Sequence, residues 1–256
     1  PSIFYEKIEK GWRENQKFRT ELSAVQLEND QGYDMARWSG SFEVAEAFDL
    51  PLGIANYEAN ATGHFYSIHT KPDGAATSLG DIGFATPALS VGWRLPIAVV
   101  GANRTAIFEP QARLAFIGGK DRTSAIPNRD ASDYRIDEAN LFLLNRYQGK
   151  DYILPGTRAD IGVSATTNDN FFGDVSGFFG VSRRLSGKTS AGLNTDQGDK
   201  YSDYVASLTV NPANSLNLRW SGRLSSKDLN LNESKTSLSS ALGTGSLSVT
   251  HNQLAK

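Results

Sequence analysis

Residues 158–166 alternate without a break: Ala159, Ile161, Val163 and Ala165 share one face, while Arg158, Asp160, Gly162, Ser164 and Thr166 share the other. In an extended strand, successive side chains point to opposite sides. The same two-residue period recurs in 82–97, where Ala85, Pro87, Leu89, Val91, Trp93 and Leu95 alternate with Thr86, Ala88, Ser90, Gly92 and Arg94. Farther on, Val175, Gly177, Phe179 and Val181 oppose Ser176, Gly180, Ser182 and Arg184, with Phe178 the exception. Tyr204, Ala206, Leu208 and Val210 share a face, and Leu216, Leu218, Trp220 and Leu224 oppose Asn217, Arg219, Ser221 and Arg223. Small aliphatic residues on one side and charge on the other, repeated from strand to strand, are the dyad pattern of a transmembrane β-barrel. Two arginines on the inward side of one strand suit a polar lumen far better than the interior of a dry sandwich, where unpaired charge is costly.

The pattern predicts an all-β chain of antiparallel up-and-down strands. The first part reads as 3–12, 18–27 and 35–48, although the apolar spacing of 6–16 fits a short helix as well as a strand. Strands follow at 63–69, 82–97 and 105–117. Pro87 and Pro96 each delete a ladder hydrogen bond, so they belong at a bulge, an edge or a strand end. The connections alternate in length: TTNDN and NPAN are short, whereas 118–140 and 186–203 are long. Barrels place long loops outside and short turns on the periplasmic side, which puts the NRYQGKDYILPG segment at the outer mouth. Tyr147, Tyr152, Tyr201, Tyr204 and Trp12 lie near strand ends, where interfacial aromatic girdles form.

Composition narrows the class. Hydrophobic residues make up 39% of the 256 positions, and mean hydropathy is −0.38. No stretch approaches the roughly 20 apolar residues of a membrane-spanning helix. The 26 basic and 28 acidic residues form no one-sign block, which argues against a nucleic-acid partner. Absence of cysteine rules out thiolate metal sites, cysteine nucleophiles and disulfides within the chain.

Candidate chemistry is sparse. The histidines are His64, His69 and His251, and His64, Ser67 and His69 would need an acidic or hydroxyl partner at the rim to act as acid or base. Asp169, Asn170 and Asp174 offer oxygens for calcium but lack the spacing and terminal glutamate of an EF-hand, and a polar hairpin turn accounts for them. The glycines form no nucleotide cradle. These considerations predict no catalytic residue, no metal site and no cofactor.

Residues 108–185 carry a compound motif: Glu109-Pro110, Pro127-Asn128-Arg129-Asp130, Leu141-Phe142, Asn145-Arg146-Tyr147-Gln148-Gly149, Asp151-Tyr152-Ile153 and Gly156-Thr157-Arg158. It resembles the barrel domain of the LPS-assembly protein LptD family, also called organic solvent tolerance proteins. The family's usual arginine after the loop aspartate is Tyr152 here. The resemblance marks Asn145, Arg146, Tyr147, Gly149, Asp151, Gly156 and Arg158 as the signature of the outer loop, next to the inward polar residues Asp160, Arg219 and Arg223.

The resemblance implies an outer-membrane protein of a Gram-negative bacterium that delivers lipopolysaccharide to the outer leaflet, without catalysis. Its implied partners are lipopolysaccharide, a plug lipoprotein of the LptE type, a periplasmic bridge protein of the LptA type and outer-membrane lipids. At about 10 residues per strand plus turns, the chain yields on the order of a dozen strands. We therefore expect 1–256 to be part of a single, larger outer-membrane β-barrel domain, with the N-terminal periplasmic jellyroll and some barrel strands lying outside it. A general porin or nutrient channel is the alternative. Arg146, Lys150 and Asp151 either touch lipopolysaccharide phosphates or tie their loop to its neighbours. Arg158, Arg219 and Arg223 either guide an anionic glycolipid or pair with carboxylates such as Asp160.

Overall fold

A computed structural model of the chain describes all residues except 29–33, 71–79, 103, 121, 123–124, 131–134, 147–148, 154, 170–172, 188–199, 214–215, 243–244 and 255–256. The described residues form thirteen strands in one antiparallel sheet: β1 (Ser2–Lys10), β2 (Gln16–Leu27), β3 (Asp34–Leu50), β4 (Gly53–Thr70), β5 (Gly80–Arg94), β6 (Ile97–Val100), β7 (Arg104–Ile117), β8 (Gly156–Asp169), β9 (Gly173–Ser186), β10 (Tyr204–Ala213), β11 (Leu216–Leu224), β12 (Leu231–Leu242) and β13 (Gly245–Leu254). Each strand pairs with its sequence neighbour except β5 and β6, which follow one another along the same edge of β7. The sheet is not closed: β1 pairs only with β2, and β13 only with β12. This is the up-and-down wall of a partial barrel. The stretch 6–16 resolves as the end of β1, a tight turn and the first residue of β2.

The 82–97 run is two strands rather than one, and the break falls at Leu95–Pro96. A residue's N–H and C=O project toward the same edge of a strand. The Pro87 carbonyl accepts from Gly118 N at 2.7 Å, just past the last pair of the β5–β7 ladder, so the missing N–H falls at the ladder's end. The Pro110 carbonyl accepts from Leu95 N at 3.0 Å and therefore faces the gap at Leu95–Pro96. Pro110 keeps its place beside Val163 of β8, so the wall is uninterrupted on that side.

Connections of two kinds alternate along the sheet. At one end lie 11–15, 51–52, 101–103, 170–172, 214–215 and 243–244; at the other lie 28–33, 71–79, 118–155, 187–203 and 225–230. β8 runs on through Asp169, so most of the turn expected at TTNDN is strand, and Asn170 lies outside the described residues.

The polarity of the wall is inverted relative to a water-soluble sheet. On one face Leu89, Val91, Leu114, Phe116, Leu208 and Leu238 are exposed, and Ile161 is 60% exposed. On the other face Arg37, Ser90, Arg158, Asp160, Ser182 and Ser207 are buried. Aromatic pairs reinforce the apolar face: Trp12 meets Phe18 edge-on at 5.0 Å, Trp38 lies 5.7 Å from Phe65, and Phe179 stacks on Tyr204 at 5.5 Å. Tyr152 does not belong to such a girdle. It is buried with Ile136, Leu141, Phe178 and Val205, because its loop turns inward over the wall. Tyr147 lies outside the described residues.

That loop supplies the core. Three apolar clusters form between 118–155 and the inner face: Ile126 with Met35, Tyr66 and Ile68; Leu144 with Ala115 and Ile117; and Ile136, Leu141 and Tyr152 with Phe178 and Val205. Phe178, the apolar residue at an inward position, is thereby accounted for. Beside it, Gly162 and Gly180 pair in register and leave a hollow, and a side chain at 180 would run into Leu141.

Candidate functional site

The inner face with its covering loop, here termed the strap, gathers the chain's buried polar chemistry. Three fastenings hold the strap, spread from β2 to β12.

The first lies over β2, β3 and β4. Arg37 Nη1 donates to Asp130 Oδ2 and to Asp151 Oδ1, each at 2.5 Å. Asp151 also accepts from Tyr66 Oη at 3.0 Å and from the backbone N–H groups of Arg129 at 2.9 Å and Asp130 at 3.2 Å. Asp130 accepts in return from the N–H groups of Lys150 at 3.1 Å and Asp151 at 3.0 Å. Lys150 reaches over to Glu21 and to Ser23 Oγ. Gly149 makes this knot possible: its φ of +89° is in the left-handed region, and a Cβ there would lie 2.6 Å from the Asp130 carbonyl oxygen.

Two carboxylates thus share one guanidinium, and they titrate in opposite directions. Burial pushes Asp130 up, but the Asp151 N–H, the Arg37 guanidinium and the Lys150 N–H outweigh it and hold the carboxyl below the ordinary value. For Asp151, burial and the adjacent Asp130 charge prevail over Arg37 and the Arg129 N–H, and its carboxyl is raised.

The second fastening is on β7 and β8. Asp160, 0% exposed, receives Arg146, Arg158 Nε at 3.2 Å and Ser182 Oγ at 2.6 Å. Arg146 also donates to the Leu141 carbonyl at 2.5 Å, and Arg158 donates to the carbonyls of Leu143 and Leu144. Arg113 donates to the Phe142 carbonyl while pairing with Glu58 at 2.5 Å and Ser90 Oγ at 2.6 Å. Guanidinium groups thereby satisfy strap carbonyls that would otherwise be buried without partners.

The third, over β10 to β12, is exposed. Glu138 Oε2 accepts from Ser207 Oγ at 2.6 Å and Arg219 Nη2 at 3.2 Å; Arg135 pairs with Glu233 at 2.8 Å. Arg223 lies 3.2 Å from Glu233 and 4.0 Å from Asp203.

Of the residues singled out in the sequence, Arg146, Gly149 and Asp151 lie in the strap, Arg158 and Asp160 on the wall beneath it, and Arg219 and Arg223 on the wall at its exposed end. Asn145 sits on the strap's exposed side and lines a polar cavity of about 250 Å³, shared with Glu21, Glu43, Glu58, His64 and Lys150. Gly156 opens β8, paired with Ile117. Arg37, Tyr66, Arg113 and Glu138 complete the fastenings and were not singled out. Arg37 stands 114 positions from Asp151 in sequence, beyond the reach of any local pattern.

Little here is arranged for catalysis. His64 is buried with Nδ1 2.9 Å from Ser39 Oγ. At the rim Ser67 Oγ lies 3.3 Å from His69 Nε2, but the hydroxyl donates to Asp81 at 2.7 Å, so its proton is not offered to the imidazole. Asn168 Nδ2 donates to Asp174 Oδ1 between the paired ends of β8 and β9, and Asn170 falls outside the described residues. Among the described residues no group of three or more His, Asp or Glu side chains is placed to hold a metal ion.

No curated protein matches the chain in sequence. The family described as LptD, LPS transport system D, matches it over residues 1–256. An open antiparallel barrel wall with an apolar outer face, a charged inner face and this match along its whole length identify the chain as a member of the LptD family, whose proteins serve lipopolysaccharide transport and assembly at the outer membrane.

Proposed function

We propose that this chain is a wall segment of the barrel that passes lipopolysaccharide to the outer leaflet of the outer membrane of a Gram-negative bacterium. In this reading the wall is one arc of a larger barrel, with further strands on the free edges of β1 and β13 and a periplasmic jellyroll elsewhere in the protein. A plug lipoprotein of the LptE type and a periplasmic bridge protein of the LptA type are its partners, and it performs no catalytic step. The observation that carries the reading is the strap. It crosses the inner face from β2 to β12 on three apolar clusters, on ion pairs buried at Asp151 and Asp160, and on exposed ones at Glu138 and Glu233, which suits a barrel that handles one class of cargo. A general diffusion porin would need that face open to water.

Depletion of the full-length protein tests the proposal. Loss of surface lipopolysaccharide is the expected result. Normal surface lipopolysaccharide after complete depletion, or steady ion conductance from the purified protein without a plug partner, would overturn it in favour of a porin.

A further inference from the structure

We infer that the inner face of β10 to β12 is a phosphate-binding site that the protein keeps closed with its own Glu138. This inference rests on the reading that the wall handles lipopolysaccharide. Arg135, Arg219, Arg223 and Lys235 line one cavity of about 270 Å³ between the strap and the wall, together with the carboxylates of Asp137, Glu138 and Glu233. Guanidinium forks and a serine hydroxyl are the groups that grip phosphate oxygens. Glu138 Oε2 sits where such an oxygen would, held by Ser207 Oγ at 2.6 Å and Arg219 Nη2 at 3.2 Å. Lys235 lines the same cavity without a hydrogen bond or ion pair among the described residues.

The closure is built to yield. The Arg219 and Glu138 side chains are 53% and 41% exposed, whereas Asp151 and Asp160 at the other two fastenings are fully buried. An exposed pair of this kind is readily displaced by a competing anion. A phosphorylated ligand would replace the Glu138 carboxylate on Arg219 and Ser207, and the 135–139 arm would lift while the rest of the strap stays fastened.

The test is binding to purified full-length protein in detergent, comparing wild type with Glu138→Gln and Glu138→Gln/Arg219→Gln, each checked for folding by heat-modifiable migration. The probes are lipopolysaccharide, the same lipopolysaccharide after phosphatase treatment, and inorganic phosphate. Glu138→Gln should bind lipopolysaccharide up to about fivefold tighter than wild type. The gain should vanish with the dephosphorylated probe and in the double variant. A parallel gain for inorganic phosphate identifies the free anion as sufficient; a gain confined to lipopolysaccharide identifies the lipid headgroup as the source. Unchanged or weaker binding by Glu138→Gln, or a gain that survives dephosphorylation or the Arg219 change, overturns the inference. Normal surface lipopolysaccharide on depletion would remove the functional reading while leaving this binding result intact.

Discussion

Asp160 is the position at which the strap is most exposed to a single substitution. Its carboxylate is completely buried and is the shared ion-pair partner of two guanidinium groups, Arg146 and Arg158, whose side chains are 5% and 10% exposed. Asp160→Ala removes the buried carboxylate that both cations share and leaves them their carbonyl partners. Removing one member of a buried ion pair costs about 3–5 kcal/mol. Ser182 Oγ loses its acceptor as well. The cost falls on strap attachment, because Arg146 comes from the strap and the Arg158 guanidinium binds strap carbonyls. Limited trypsin digestion of the folded, full-length protein reads this directly at Arg146, which lies in the strap and is buried while fastened to Asp160. Where opening and reclosing outpace cleavage, the rate follows the open population, so cleavage should accelerate by about one hundredfold to several thousandfold. Asp160→Asn separates charge from space: it keeps the volume and one acceptor oxygen yet should lose most of the same stability. Cleavage of Asp160→Asn within about twofold of wild type would refute the claim that charge neutralisation holds the strap.

The Asp130 and Asp151 pair gives the strap a pH dependence with a defined sign. Between the ordinary aspartate value of about 3.9 and the raised value of Asp151, the folded state takes up a proton that the unfolded chain does not. Stability contributed there rises as pH falls and is lost as pH rises through the raised value. Asp130 works in the opposite sense, its contribution being lost only as pH falls below the ordinary value toward its lowered one. Trypsin resistance of the strap should therefore increase on mild acidification, and Asp151→Asn should flatten that slope; an identical slope in the variant would count against the assignment. Gly149→Ala forces an L residue to a φ of +89° and drives a methyl toward the Asp130 carbonyl, so it should cost about 1–3 kcal/mol. Chemical unfolding of the full-length protein measures this, and an effect under about 0.5 kcal/mol would show that the knot relaxes around the methyl.

The wall was legible because a period of two survives in any strand with one apolar face. Ile161 and Leu208 declared the outer side, and Asp160 and Arg219 the inner one. Proline chemistry foretold a disturbance in 82–97, and the gap at Leu95–Pro96 supplies it. What stayed hidden was the inward fold of the strap, because it depends on contacts such as Arg37 with Asp151 that no local spacing encodes. One signal was present in Phe178: an apolar ring at a lumen-facing position must be covered by something. Tyr152 shows the converse hazard. Its place near a strand end suggested a membrane interface, yet it is packed beneath the strap.

The spacing of the three fastenings has a mechanical consequence. Lys150 grips β2 at one limit and Arg135 grips β12 at the other, with the Asp160 cluster between them. While the Arg135 end stays in place, a brace tied at both limits and the middle makes the intervening strands turn as one panel. Separating any two neighbours between β2 and β12 would break ladder hydrogen bonds and also pull a strap anchor out of its seat. Wherever a barrel built with this panel parts sideways, the seam that opens most easily lies beyond the braced strands.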